Sequence, residues 1–264
     1  MIYAADPGGM ALIPCSVNLK EREIELLGEK LFDYGDLLNA GDRRSVDIAW
    51  DEIERLHLPF SFEALREDSK NRDFWAELSI ETFCSAPFVQ GLSSEEFESR
   101  HIRSARLLRK LQRRGVQLRQ HNGSNLPLLQ DVYYRKSQQQ NDNLFRDPLR
   151  RTFILAVARL RPRDFEIYTL ETAATLVAAI VILRDGPVQR FYTTYYDSAW
   201  AAMSPGSALL FEATRLSLKR GLICDYMTGE QAYKMRLATG TAPLYRVHSR
   251  PSTQESPEIG LWAA

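Results

Sequence analysis

The stretch from Tyr192 to Arg246 constrains the fold more than any other part of the chain. An aromatic strand carrying Phe191, Tyr192, Tyr195 and Tyr196 leads through Asp197 to Ser204-Pro205-Gly206-Ser207. Serine at the cap with proline at the first helical position starts a helix, and Gly221 stops it, so a helix is predicted from about Pro205 to Arg220. Leu209, Leu210, Ala213, Leu216 and Ser217 fall on one face while Phe211 and Leu218 fall elsewhere, which buries this helix against a sheet. Leu222 to Met227 is the strand to which it returns. Such a crossover sets the unpaired N–H groups of the helix start beside the carboxyl ends of the strands, where anions bind. Gly206 gives a phosphate close approach, and Ser204 and Ser207 add hydroxyl donors. A Ser-Pro-Gly helix start is by itself more often structural than functional.

The flanking pattern is that of mixed α/β layers. After the turn Asp6-Pro7-Gly8-Gly9, Met10 to Val17 reads as one apolar strand, with Glu21 to Leu27 pairing back on it. Ser45 to Leu56 is predicted as a helix and Leu58 to Leu65 as a strand. Ser93-Ser94-Glu95-Glu96 signals a helix start, and Gly115 ends the basic helix that follows. Then come a strand at Val116–Arg119, helices at Leu126–Gln139 and Pro148–Leu160, and strands at Phe165–Leu170, Ala173–Arg184 and Val188–Tyr196. The expected domains are residues 1–92 and 93–250, with 251–264 a Pro/Ser-rich flexible tail.

Composition narrows the function. The 264 residues carry 34 basic and 34 acidic side chains, an ordinary soluble balance that argues against general nucleic-acid coating. Locally the balance fails: Ser99 to Arg119 holds eight Lys or Arg and no acid, which leaves room for one anionic ligand. Arginine dominates, with seven lysines against 27 arginines, and arginine favours bidentate contact with phosphate or carboxylate. The longest apolar run, Ala173 to Leu183, is too short to span a bilayer, and the amino terminus lacks a signal-peptide pattern, so a cytoplasmic location is expected. Cys15, Cys84 and Cys224 form no CxxC, and His57, His101, His121 and His248 are dispersed, so neither a disulfide framework nor a metal site is expected.

The string Tyr196-Asp197, Ser204-Pro205-Gly206, Leu209-Leu210, Gly221, Asp225-Tyr226, Gly229-Glu230 and Tyr233-Lys234 resembles the acetyltransferases of the cellulose-biosynthesis-protein (CelD-like) type. These are a branch of the GNAT acyl-CoA N-acyltransferases close to the FemABX aminoacyltransferases. The basic helix, the strand from Ala173 and Asp33-Tyr34-Gly35 fall where that family has similar features. The resemblance implies an α/β mixed-sheet fold of two GNAT-like halves, the first reduced because residues 1–92 lack leading helices. It implies acyl-CoA held over a splayed pair of central strands, its pyrophosphate on the crossover helix. Met203-Ser204-Pro205-Gly206-Ser207-Ala208 replaces the usual Gln/Arg-x-x-Gly-x-Gly/Ala loop, so Ser204, Gly206, Ser207 and Ala208 become the cofactor-binding candidates. That replacement leaves acetyl-CoA, a longer acyl-CoA and aminoacyl-tRNA as alternative donors.

Acyl transfer to an amine needs a base for the nitrogen, donors for the oxyanion and an acid for the departing thiolate. Asp225 at a strand end, Glu230 and Tyr233 are the catalytic candidates, against structural readings as turn-capping carboxylates and a core tyrosine. Lys234, Arg106, Arg109 and Arg113 are the candidates for holding an anionic acceptor, a small molecule or glycan precursor, with tRNA ranked behind it. The competing reading of the basic helix is a solvated face. A catalytically silent GNAT-like binding module is the alternative function, and nothing in the sequence fixes an oligomeric state.

Overall fold

The computed structural model describes residues 1–28, 31, 33–139 and 143–249. The chain divides into two compact units, Met1–Cys84 with the chain from Pro243 onward, and Ser85–Ala242. The expected boundary at 92/93 lies eight residues beyond the first of these divisions, and the tail 251–264 lies outside the described residues.

In the first unit β1 (Ile2–Asp6) and β2 (Gly9–Ile13) form an antiparallel hairpin, while β3 (Cys15–Asn18) pairs with β4 (Glu23–Leu26). The single strand expected over Met10–Val17 is therefore two. Pro14 has no N–H to give a ladder, and the chain changes sheets there. β2 pairs on its other side with the short β5 (Leu38–Asn39). Helix α1 (Arg43–Arg55) buries Val46, Ala49, Trp50 and Ile53, and leads to β6 (Phe60–Arg66), which runs parallel to β4. Helix α2 (Arg72–Ala76) sends Phe74 and Trp75 into the same core, edge-on to Trp50 at 5.2 and 6.1 Å. Strand β7 (Ile80–Val89) carries the chain out of this unit.

The second unit opens with α3 (Ser94–Arg100), closed by a capping box between Ser93 and Glu96. The basic helix α4 (Ile102–Gln112) follows after a break at His101, whose backbone leaves helical values (φ −117°, ψ 40°). The His101 ring contacts the carbonyls of Phe97 at 2.8 Å and Arg236 at 3.1 Å, which fixes that corner. One continuous helix was the expectation; a histidine with two tertiary partners divides it. Then come β8 (Gln117–Asn122), α5 (Leu126–Ser137), α6 (Pro148–Leu160), β9 (Phe165–Glu171), β10 (Leu176–Asp185) and β11 (Val188–Tyr196). A 3-10 turn at Ser198–Met203 precedes α7 (Pro205–Lys219), followed by β12 (Ile223–Asp225), α8 (Ala232–Met235) and β13 (Gly240–His248). β13 ends in the first unit, antiparallel to β6.

The second unit's sheet runs β7-β12-β11-β10-β9-β8. Only β11 and β12 are parallel within it, as a strand-helix-strand crossover through α7 requires. β9 and β10 are buried almost throughout, which explains their continuous apolar sequence. α7 is buried nearly all round, with Ala208, Leu209 and Ala213 wholly inaccessible and Phe211 stacked on Phe97 at 5.5 Å.

Candidate active site: a parted crossover

β11 and β12 pair at three positions only, Val188 with Ile223, Gln189 with Cys224 and Arg190 with Asp225. β12 stops there, while β11 continues to Tyr196. Its edge from Phe191 onward therefore has no strand partner on the β12 side among the described residues, as far as the start of α7. On the other edge Thr193 faces Val181 and Phe191 faces Ile182, so Tyr192 is the extra residue of a bulge. The bulge re-aims the strand: the Tyr192 ring lies 6.2 Å from Phe145, whereas Thr194 and Tyr196 are the residues beside Gly206. The tyrosines at 192, 195 and 196 thus do not form one surface under the helix.

At the start of α7 Ser204 adopts the left-handed conformation (φ 47°, ψ 53°), and its side chain makes no capping bond. Pro205 has no N–H, and the Ala208 N–H bonds the Ser204 carbonyl at 3.1 Å. Two donors remain without an acceptor inside the helix, those of Gly206 and Ser207, where an unmodified helix start would offer more. Ser204 is exposed and Ser207 half-buried, so both hydroxyls are accessible, while Ala208 is fully buried and forms the floor of the first turn. A side chain at Gly206 would meet Tyr196 at 3.5 Å and Thr194 at 3.7 Å, ordinary contact distances.

Asp225 stands at the fork. It is buried, with Oδ2 2.7 Å from Nη1 of Arg190 and Oδ1 accepting from the Met227 N–H at 2.7 Å. Arg190 also binds Asp185 at 2.5 Å. A carboxylate held by a guanidinium and a backbone donor fixes the geometry of the fork. Arg190 was not singled out in the sequence, although a lone cation in the apolar strand Val188–Tyr196 signals a buried carboxylate partner.

The loop after β12 holds the remaining candidates. Met227 is left-handed (φ 60°), so each arm of the fork carries one strained non-glycine residue, Ser204 and Met227. The Gly229 N–H donates to the Ser85 carbonyl at 3.1 Å, and the Ser85 hydroxyl donates to Glu230, which is exposed. Lys234 Nζ donates to the Thr228 carbonyl at 2.8 Å and so ties the loop together. Tyr233 packs partly into the core, and burial raises its phenol, so it is protonated at neutral pH. Burial pushes the Cys224 thiol up to about 12, which removes it as a nucleophile.

α4 turns Ala105, Leu108 and Leu111 inward and leaves Arg103, Arg106, Arg109, Arg113 and Arg114 exposed. None of the five side chains makes an ion pair with a described residue. Several arginines elsewhere in the unit are matched, Arg119 with Glu171, Arg135 with Asp131, Arg215 with Glu212 and Arg220 with Glu166, whereas others such as Arg159 and Arg184 make no ion pair with a described residue either. Among the described residues no cluster of His, Cys, Asp and Glu could hold a metal ion, and no helix is long and apolar enough to cross a membrane.

A mixed sheet whose parallel pair parts beside an open helix start defines a class, the acyl-CoA N-acyltransferase fold. Residues 99–235 match the acetyltransferase (GNAT) domain family, and the chain belongs to it. Three solved structures share the fold across both units. The C-terminal domain (DUF2156) of an Agrobacterium fabrum protein provisionally named a lysylphosphatidylglycerol synthetase is 13% identical, with a TM-score of 0.66 over 94% of this chain and 84% of that one. L-PGS from Bacillus licheniformis is 10% identical, TM-score 0.64, over 95% and 85%. FemX is 7% identical, TM-score 0.55, over 82% and 81%. No curated protein matches the sequence.

Proposed function

We propose that this chain is an N-acyltransferase of the CelD-like type that moves an acyl group from acyl-CoA, acetyl-CoA in the simplest case, to an amine on an anionic acceptor. The observation that carries the reading is the parted β11/β12 pair ending at a helix start with two uncommitted N–H groups. The donor's pyrophosphate sits on the Gly206 and Ser207 N–H groups with the Ser204 and Ser207 hydroxyls, over a floor shaped by Ala208. Its pantetheine arm follows the open edge of β11. Asp225, through Arg190, sets the fork, Glu230 takes the proton from the attacking amine, and Tyr233, kept protonated by burial, returns one to the departing thiolate. The amine nitrogen thereby forms its bond to carbon as the carbon–sulfur bond breaks. Lys234 and the Arg106, Arg109 and Arg113 guanidinium groups hold the acceptor, a sugar or cell-envelope precursor.

A second reading, aminoacyl transfer from aminoacyl-tRNA, is supported by the fold shared with FemX and with L-PGS. Calorimetry with CoA and acetyl-CoA, followed by thiol release over an amine panel, decides between them. Saturable CoA binding with turnover is expected. Binding without turnover favours a silent ligand-binding module, and no CoA binding by a folded protein removes the acyl-CoA reading. Gly206→Val should weaken CoA at least tenfold by setting a branched side chain where the pyrophosphate approaches the first turn. Lys234→Met should lower turnover by the equivalent of about 1.5–3 kcal/mol, the worth of a charge-assisted hydrogen bond. Charge reversal at Arg106 and Arg109 should raise the acceptor KM in a salt-dependent way and leave CoA affinity unchanged; unchanged acceptor kinetics at low salt would restore the solvated-face reading.

A further inference from the structure

Helix α6 packs through one narrow face and leaves an apolar one in the open. Of its 13 residues only Ile154 and Ala158 are buried. Leu149 is 77% exposed, Phe153 47% and Leu160 79%, and Ala156 between them is exposed as well. Their spacing of four, three and four residues sets all four on one stripe, about 16 Å long at 1.5 Å per residue. At about 100° per residue this stripe points almost directly away from Ile154 and Ala158, so the packing that buries α6 cannot cover it. An apolar stripe held at the surface in this way marks a contact with an apolar partner.

The stripe is bordered by cations. Arg150, half-buried, and Arg159, exposed, fall about 90° to either side of it around the helix. Across Arg146–Arg163 six arginines stand against one acid, Asp147. That carboxylate caps α6 by accepting the Leu149 N–H at 2.8 Å and lies 3.7 Å from Arg150. Arg161 pairs with Asp164 at 2.9 Å, while neither Arg159 nor Arg163 makes an ion pair with a described residue. Shape and charge together select the occupant. Leu149 and Leu160 form a ridge, whereas a partner helix is received in a groove. A second copy of α6 would set Arg150 and Arg159 against like charges. A bilayer accepts a ridge: an interfacial helix sinks its apolar face about 5–10 Å into the headgroup boundary. Its flanking arginines lay their stems along the apolar side and reach phosphate with the guanidinium.

We propose that α6 docks the protein on an anionic phospholipid surface. The helix lies in the plane of the interface, with Leu149, Phe153 and Leu160 between the headgroups and Arg150 and Arg159 on lipid phosphates. Attachment is peripheral and reversible, since three side chains on a short helix insert and nothing spans the bilayer. The surface belongs to the second unit and does not depend on acyl transfer, because none of these residues is part of the parted crossover.

The test sediments the full chain with vesicles of phosphatidylcholine alone and with vesicles containing about one-third phosphatidylglycerol. Binding to the anionic vesicles should be at least tenfold tighter than to phosphatidylcholine and should weaken as salt rises. Leu149→Ser combined with Leu160→Ser keeps every charge and touches no buried residue. It should weaken anionic-vesicle binding at least tenfold while urea denaturation stays as in the wild type. Arg159→Glu should weaken binding to the anionic vesicles and leave the residual affinity for phosphatidylcholine unchanged. The exposed arginines of α4 make the double serine variant decisive: if they alone hold the vesicles, that variant binds like the wild type and the proposal fails. Self-association of the wild type that the same two substitutions abolish, measured by sedimentation equilibrium without lipid, would make the stripe a subunit contact and overturn the proposal. No vesicle binding by the folded protein would overturn it as well.

Discussion

Each unit contains one parallel strand pair linked through a helix, and the two helices begin in opposite ways. In the first unit α1 starts at Asp42, whose carboxylate accepts the Ser45 N–H at 3.3 Å. The positive end of that helix is occupied by the chain's own anion. In the second unit α7 starts at Ser204, left-handed and without a capping bond, so the corresponding position is open. The far ends differ too. α7 is followed by Arg220, which binds Glu166 through both terminal nitrogens at 2.7 Å, whereas α1 ends with an exposed Arg55–Glu52 pair. One crossover is closed at its anion-binding end, and the other is open there and anchored at its base.

Arg220→Ala is the hardest blow to this contrast. It strands the mostly buried Glu166 carboxylate and should cost roughly 3 kcal/mol in urea denaturation, the low end for a severed buried pair because Arg220 is about one-third exposed. Burial by itself would raise the Glu166 carboxyl, but the bonds from Arg220, with Gln189 and Tyr168, outweigh it and hold the group below the usual carboxylate range. A depressed folded-state value means stability that is present above the unfolded-state range and is lost as pH falls through the folded one. The wild type should therefore lose stability in acid more steeply than Glu166→Gln, and parallel acid limbs would remove the pair from the account.

Ser204→Asp is the sharper experiment, because it sets a carboxylate beside the open start of α7, where it repels an anionic donor. Aspartate tolerates the left-handed region, so the fold should persist while CoA affinity falls at least tenfold, about 1.4 kcal/mol. Undiminished CoA binding would show that the donor does not use this helix start. Asp42→Ala, the reverse change in the first unit, should lower stability by about 1 kcal/mol and leave CoA affinity alone. Arg55→Ala should change stability by less than about 0.5 kcal/mol, since exposed pairs contribute little.

The sequence by itself determined the local segments. Asp147-Pro148 and Ser93-Ser94-Glu95-Glu96 carry their own caps, so the starts of α6 and α3 were legible, as were the hairpin arm Val188–Tyr196 and the crossover through α7. These features arise from hydrogen bonds and periodicities within a few residues of chain. What only the tertiary structure decided was set by partners distant in sequence. Pro14 divides a strand between two sheets, and His101 divides a helix by bonding Arg236, 135 residues away. Tyr192 becomes a bulge only because β10 lies alongside with its own register. Asp225 reads from sequence as a free carboxylate at a strand end, yet in the fold Arg190 meets it across the last paired position of the sheet. A pocket of the first unit is of the same kind: Met10, Leu38, Lys70 and Asn71 share no motif, and only the packing of a hairpin, a short strand and a loop brings them together. Local propensity sets where elements begin and end, whereas which charges meet, and which helix end stays open, is decided by desolvation once those elements pack.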